Sequence, residues 1–181
     1  LMWLYLKQSS FFKDDIQKVL HVAPEQCFYP IFKKQQNLIY TTADMESPIA
    51  DLHFDLHKIP LEDDLFDVIF CNHVLEHVQD DHQCMKELFR VMKNGGWGIF
   101  QVPIDYTNKV TYQDSSITDP KERETHFWQK DHLRLYGLDY PKRLEKAGFK
   151  VDVFDPKTAL GEIDYEKLRL NSSELIFIAR K

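Results

Sequence analysis

The chain is predicted to fold as a single doubly wound α/β domain around a mostly parallel sheet of seven strands. Three observations predict it. Short β-rich runs alternate with stretches of helical periodicity along the chain, the order that sets helices between parallel strands. Two of the runs, Val68-Ile69-Phe70-Cys71 and Leu175-Ile176-Phe177-Ile178, are apolar at every position, as strands covered on both faces are. The 181 residues suffice for one full core but not for two domains of ordinary size.

Taken in order, the chain opens with the apolar Leu1-Met2-Trp3-Leu4-Tyr5-Leu6, which reads as the end of a helix. Its first residue is Leu rather than Met, so the numbered chain is expected to start inside a longer gene product. This start is far shorter than a membrane span and lacks the basic region of a secretion signal. Strands are expected at Lys18–Ala23, Asn37–Thr42, Asp51–Phe54, Phe66–Cys71, Trp97–Val102, Lys150–Phe154 and Glu174–Ala179. The clearest helix follows Asp80-Asp81, where Met85, Leu88, Phe89 and Met92 recur on one face. Asp80 or Asp81 caps its start, and Asn94-Gly95 supplies the left-handed residue expected to stop it. A second helix is expected over Asp139–Ala147, with Pro141 in its first turn and Gly148 ending it. Between strand five and that helix, Pro103 to Gly137 is polar and carries no clear period, so residues 103–137 read as a substrate lid.

Composition narrows the function classes. Apolar residues make up 43% and charged residues 29%, a soluble globular balance. The net charge of −6 provides no overall positive field for nucleic-acid phosphates or anionic lipid, so neither nucleic acid nor membrane is an expected partner. Cys27, Cys71 and Cys84 are odd in number and lack CxxC spacing, which predicts reduced, mostly packed thiols, no structural zinc and a cytoplasmic protein.

The sharpest local feature is Leu61-Glu62-Asp63-Asp64-Leu65-Phe66-Asp67-Val68-Ile69-Phe70-Cys71-Asn72-His73-Val74-Leu75-Glu76-His77-Val78, a turn, a buried strand and a polar end. With the capped helix and Asn94-Gly95-Gly96-Trp97-Gly98-Ile99-Phe100, it resembles the middle of class I methyltransferases of the broad type 11 group over nearly fifty residues. The resemblance implies a Rossmann-like sheet with an antiparallel last strand, S-adenosyl-L-methionine as cofactor, and transfer of its methyl group to an acceptor. We expect the acceptor to be a small molecule.

In such enzymes the cofactor lies at the carboxyl ends of the first four strands. A carboxylate at the end of strand two suits the ribose diol, and Asp44 is the candidate, with Glu46 as runner-up. Asp55-Leu56 resembles the acidic-apolar pair near the adenine. Both Asp residues can also be read as loop or capping residues, but their register favours binding. The first loop, His21-Val22-Ala23-Pro24-Glu25-Gln26-Cys27, departs from the pattern. His21 stands where an acid is usual, and Ala23, Glu25 and Cys27 stand at the glycine positions of a GxGxG run. Glu25 can restore the missing charge by pairing with the cofactor ammonium. The other reading is a methyltransferase-like module that binds a partner without catalysis. A nicotinamide oxidoreductase is disfavoured because no GxGxxG follows any strand.

Methyl transfer needs orientation more than a nucleophile, but an oxygen or nitrogen acceptor can need a base. His73 and Asn72 follow strand four, where substrate and methyl group meet in the family. His77 belongs to a Leu-Glu-His signature usually concerned with helix entry and packing. In the lid, Asp131-His132-Leu133-Arg134-Leu135-Tyr136 resembles a segment lying over the acceptor pocket in some bacterial members of the group. It makes His132 a second candidate base, oriented by Asp131, with His126, Arg134 and Tyr136 as acceptor contacts. These charges can instead belong to a folded surface loop stapled by Trp128 and Tyr136. His126, Asp131 and His132 lack a fourth ligand, so no metal is expected. The chain is expected to be a monomer or a homodimer.

Overall fold

The computed structural model describes every residue except 14, 160–164, 166 and 172–173. Its elements are α1 (Met2–Gln8), β1 (Gln17–Val22), α2 (Tyr29–Phe32), β2 (Leu38–Ala43), β3 (Phe66–Cys71), α3 (Asp81–Val91) and β4 (Met92–Ile99), then β5 (Tyr112–Gln113), α4 (Pro120–Phe127), β6 (Arg134–Leu135), α5 (Tyr140–Lys146), β7 (Lys150–Phe154), α6 (Pro156–Ala159) and β8 (Ile176–Arg180). Six strands form one sheet in the order β2-β1-β3-β4-β8-β7, and β5 pairs with β6 apart from it. The first four strands of the large sheet are parallel, while β8 runs antiparallel to both β4 and β7. This is the doubly wound α/β architecture, with the last strand antiparallel.

Alternation along the central strands feeds two cores. Leu20, Val22, Ile69 and Cys71 face Cys84, Met85 and Leu88 of α3, whereas Val19, Val68 and Phe70 face Met2 and Leu6 of α1 together with Phe11 and Phe32. A strand that must fill a core on each side has no polar face, which accounts for the unbroken apolar run at Val68–Cys71.

Among the described residues the large sheet has six strands rather than the seven expected. Asp51–Phe54 forms only one bridge, Leu52 to Ala43, because side chains take over the pairing. Asp51 Oδ2 accepts from Thr42 N (2.9 Å) and from Thr42 Oγ1 (2.7 Å), and Thr42 Oγ1 accepts from Asp51 N (3.0 Å). Such local bonds compete with a ladder. Asp51→Ala is expected to cost about 1 kcal/mol, read as a lower urea midpoint at unchanged slope.

Asp80 caps α3 by accepting from Gln83 N at 2.9 Å. The helix stops earlier than expected, at Val91, and Met92 already belongs to β4. Gly95, with φ of +80°, therefore does not end the helix. It lies in an irregular stretch of β4, where the partners step from Phe66–Met92 to Val68–Trp97. The helix expected at Asp139–Ala147 is present as α5, and Gly148 follows it at φ +115°. Asp139 does not cap α5 with its side chain; its Oδ1 accepts instead from Thr111 N and Oγ1, both at 2.7 Å, tying residues 103–137 to the domain. That stretch contains β5, α4 and β6 and buries Phe127 completely. Among the described residues no helix is long and apolar enough to cross a membrane.

Candidate active site

β1 and β3 are neighbours, but the chain leaves β1 toward β2 and leaves β3 toward β4, on opposite sides. Connections diverging from two adjacent parallel strands leave a crevice at their carboxyl ends. There the structure opens a cleft of about 690 Å³, to which Ala23 follows from β1, Asp44 from β2 and His73 from β3. Ala23 and His73 both adopt positive φ, +46° and +56°. Left-handed backbone strains a residue bearing a Cβ by about 1–2 kcal/mol, and such strain gathers at functional sites. Ala23 thus holds the backbone path that a glycine would take at the first position of a GxGxG loop.

Two carboxylates line the cleft. Asp44 Oδ1 accepts from Glu46 N and Ser47 N, both at 2.8 Å, which fixes the turn after β2 and leaves Oδ2 outside these bonds in a residue that lines the cleft. Asp55 Oδ1 accepts from His57 N (2.9 Å) and lies 2.6 Å from His57 Nδ1. These bonds hold the Asp55 carboxyl below its ordinary value. The buried Leu56 and the exposed Met45 form an apolar wall between the two.

His21, Glu25 and Asn72 come together as one polar cluster beneath the cleft rather than in its lining. His21 is fully buried, its Nδ1 is 2.8 Å from the Tyr40 hydroxyl, and its Nε2 meets the Glu25 carboxylate. Asn72 donates to Glu25 Oε1 (2.9 Å) and accepts from Gln101 N (3.1 Å). Burial works to raise the Glu25 pKa, but the hydrogen bonds from His21 and Asn72 outweigh it and hold the carboxyl below its usual value. An anionic group therefore sits against the residue that replaces the customary acid.

His73 presents its side chain to solvent at the cleft, with Nδ1 3.5 Å from Glu76 Oε1. The Glu76 carboxylate raises its pKa from the ordinary value. The other candidate base is placed differently. His132 is 4% exposed, its Nδ1 lies 2.8 Å from the Phe127 carbonyl, and its ring meets that of His77 edge to face at 4.8 Å. His77 is the imidazole that reaches the cleft from this side, and Asp131 lies beside it, at 3.5 Å, rather than orienting His132.

Arg134 and Tyr136 turn inward. Arg134 donates to the carbonyls of Leu75 (2.6 Å), Val78 (2.6 Å) and Gln79 (2.8 Å), and the Tyr136 hydroxyl donates to Asp81 Oδ2 (2.8 Å). Both hold residues 75–81 and neither lines this cleft; Arg134 lines instead a separate pocket of about 420 Å³ with Gln113, Asp114 and Arg123. His126 lies on α4, away from the cleft, with its ring against Tyr112. Sequence reasoning missed Glu76, assigning it only to the helix-entry signature; its burial at 1% exposure beside two histidines is visible only in three dimensions.

With this geometry in view, residues 19–100 match the family model described as a methyltransferase domain. A curated protein of Mycolicibacterium smegmatis, named "Probable S-adenosylmethionine-dependent methyltransferase", is 30% identical over 106 residues, 58% of this chain. The chain spans 37% of that relative's length. Among solved structures, the [4+2]-cyclase SpnF aligns with a TM-score of 0.64 at 17% identity, covering 98% of this chain and 79% of that one. A SAM-dependent methyltransferase from Archaeoglobus fulgidus aligns with a TM-score of 0.61 at 15% identity, covering 99% and 93%. The structural neighbours share the fold, and the sequence matches support the resemblance to class I S-adenosylmethionine-dependent methyltransferases of the type 11 group.

Proposed function

We propose, from the premise that residues 19–100 form a type 11 methyltransferase domain, that this protein transfers a methyl group from S-adenosyl-L-methionine to a small-molecule acceptor. The observation that carries the reading is the convergence of Asp44, Asp55 and His73 on one cleft at the switch point of the sheet. The cleft fits the cofactor in size and donor set: about 690 Å³, two carboxylates with an oxygen to spare, and an apolar wall at Leu56 and Met45. When bound, S-adenosylmethionine supplies a methyl group on a sulfonium, an electrophile that needs no covalent help from the protein.

The chain's residues then have separate tasks. Asp44 Oδ2 receives the ribose hydroxyls, and Asp55 the adenine amino group. Glu25, kept ionised by His21 and Asn72 beneath the cleft, supplies the ammonium of the methionine end with a counter-charge from below the lining. His73 orients the acceptor and takes its proton at Nε2, since Nδ1 faces Glu76. Residues 103–137 close the acceptor side as a lid, carrying Asp131 and supporting His77. Titration calorimetry tests this reading: S-adenosylhomocysteine is expected to bind with micromolar Kd. Glu25→Gln is expected to weaken that binding about tenfold, the size of one charge-assisted contact. Absence of binding by the unmodified protein would refute the proposal.

One observation favours a second reading. Ala23, Glu25 and Cys27 stand at the glycine positions of the loop, and SpnF, which shares the fold, is named for a cyclisation, so a class I fold alone does not dictate methyl transfer. A module that binds a partner without catalysis would be the conclusion if the calorimetry shows no cofactor binding.

A further inference from the structure

Three groups have no direct contact with cofactor or acceptor in the roles above: Glu76 and His77, just beyond β3, and His132, in the turn between α4 and β6. One carboxylate oxygen of Glu76 and one ring nitrogen from each histidine lie within 4.8 Å of one another. Glu76 is 1% exposed, and while its Oε1 faces His73, its Oε2 has no hydrogen-bond partner among the described residues. A buried carboxylate oxygen without a partner is costly unless a cation or proton donor satisfies it.

Both histidines are already oriented from behind. A carbonyl only accepts, so the 2.8 Å contact of His132 Nδ1 with Phe127 O places the proton on Nδ1 and leaves the Nε2 lone pair free. His77 Nδ1 faces the Asp131 carboxylate at 3.5 Å, which favours the same tautomer. An imidazole held through Nδ1 by a carbonyl or carboxylate is in the usual arrangement of a metal ligand. Leu133 N donates to Glu76 O at 2.8 Å, so the segments bearing the three groups are fixed to each other.

We propose that Glu76, His77 and His132 bind a divalent transition-metal ion with an open coordination position toward the cleft. Two imidazoles and one carboxylate suit zinc or ferrous iron rather than magnesium or calcium, which prefer all-oxygen shells. Around zinc, bonds of about 2.0–2.2 Å set tetrahedral ligands about 3.3 Å apart, so the side chains close by small rotations from their present spacing. No metal is expected of His126, Asp131 and His132, which lack a fourth ligand; the proposed set shares only His132 with them and draws Glu76 and His77 from beyond β3. The ion would clamp the lid to the segment following β3.

The test is calorimetric titration of tag-free, chelator-stripped protein with Zn²⁺, alongside visible absorption with Co²⁺. The expected result is one equivalent bound with micromolar or tighter Kd and a Co²⁺ ligand-field band. Glu76→Gln, His77→Ala and His132→Ala are each expected to weaken binding by about a hundredfold or more and remove the band. His126→Ala and Cys27→Ser, at sites outside the cluster, should leave both unchanged. The partly exposed His77 makes its variant the least prone to unfolding, which circular dichroism checks. No binding by the unmodified protein, or binding that survives His77→Ala and Glu76→Gln, overturns the proposal. Neither readout involves methyl transfer, so failure of that function would be seen separately.

Discussion

Asp44→Ala is expected to weaken S-adenosylhomocysteine binding by about two orders of magnitude, roughly 3 kcal/mol, the loss of two charge-assisted hydrogen bonds. Ala also releases the turn, because Asp44 Oδ1 holds Glu46 N and Ser47 N. Asp44→Asn separates the two effects: it keeps an oxygen for the turn but turns the remaining acceptor into a donor. It should fold normally and still bind at least tenfold more weakly. Asp55→Ala is expected to cost about tenfold, one hydrogen bond to the base. In the proposed arrangement the two carboxylates serve opposite parts of one nucleoside and share no partner, so the double variant should lose about a thousandfold. An Asp44→Asn variant that binds like the unmodified protein would remove the diol contact from the proposal, and a double variant no worse than either single would show that the two carboxylates act as one coupled unit and not as independent contacts.

The sheet was legible because burial leaves a direct mark on sequence. Val68–Cys71 serves two cores, Leu20 and Val22 with Ile69 and Cys71 facing one and Val19 with Val68 and Phe70 the other. The Asp51–Phe54 strand was misread because its pairing depends on the Asp51 and Thr42 side chains, which no apolar pattern reveals. The helix end was misread for a related reason: Gly95 signals positive φ but not whether a helix or a bulged strand requires it. At the site, Ala23, Asp44 and His73 line the cleft because the fold fixes where strand ends lie, and Asp55 joins them from the segment bridged to β2 at Leu52. Residues 103–137 were less legible. Arg134 and Tyr136 have the composition of ligand-binding residues, yet buried backbone carbonyls and Asp81 claim them. Charge and aromaticity alone do not tell a recognition loop from a loop that braces itself.

The bracing centres on Asp81, and Asp81→Asn is expected to produce the largest stability loss, about 3–5 kcal/mol out of a typical 5–15. Its carboxylate is buried and accepts from Arg143 Nη2 (2.6 and 2.7 Å), Arg143 Nε (3.0 Å) and the Tyr136 hydroxyl (2.8 Å). Arg134 Nε stands 3.9 Å away. Burial favours the neutral acid, but Arg143, Arg134 and Tyr136 together outweigh it and depress the pKa. A depressed folded pKa contributes stability that is fully present above the unfolded value of about 3.9 and is lost as pH falls through the lower folded value. The gap in unfolding free energy between the unmodified protein and Asp81→Asn should therefore be full at about pH 7 and shrink below about pH 4. A gap that stays constant over that range would show that the carboxylate charge is not what Asp81 contributes. Because Tyr136 and Arg134 also hold the carbonyls of residues 75–79, the same substitution should loosen the segment that carries His77. The charge that stabilises the domain is thus one step removed from the cleft, and the variant is expected to weaken acceptor binding more than cofactor binding, whose carboxylates at Asp44 and Asp55 stand on other loops.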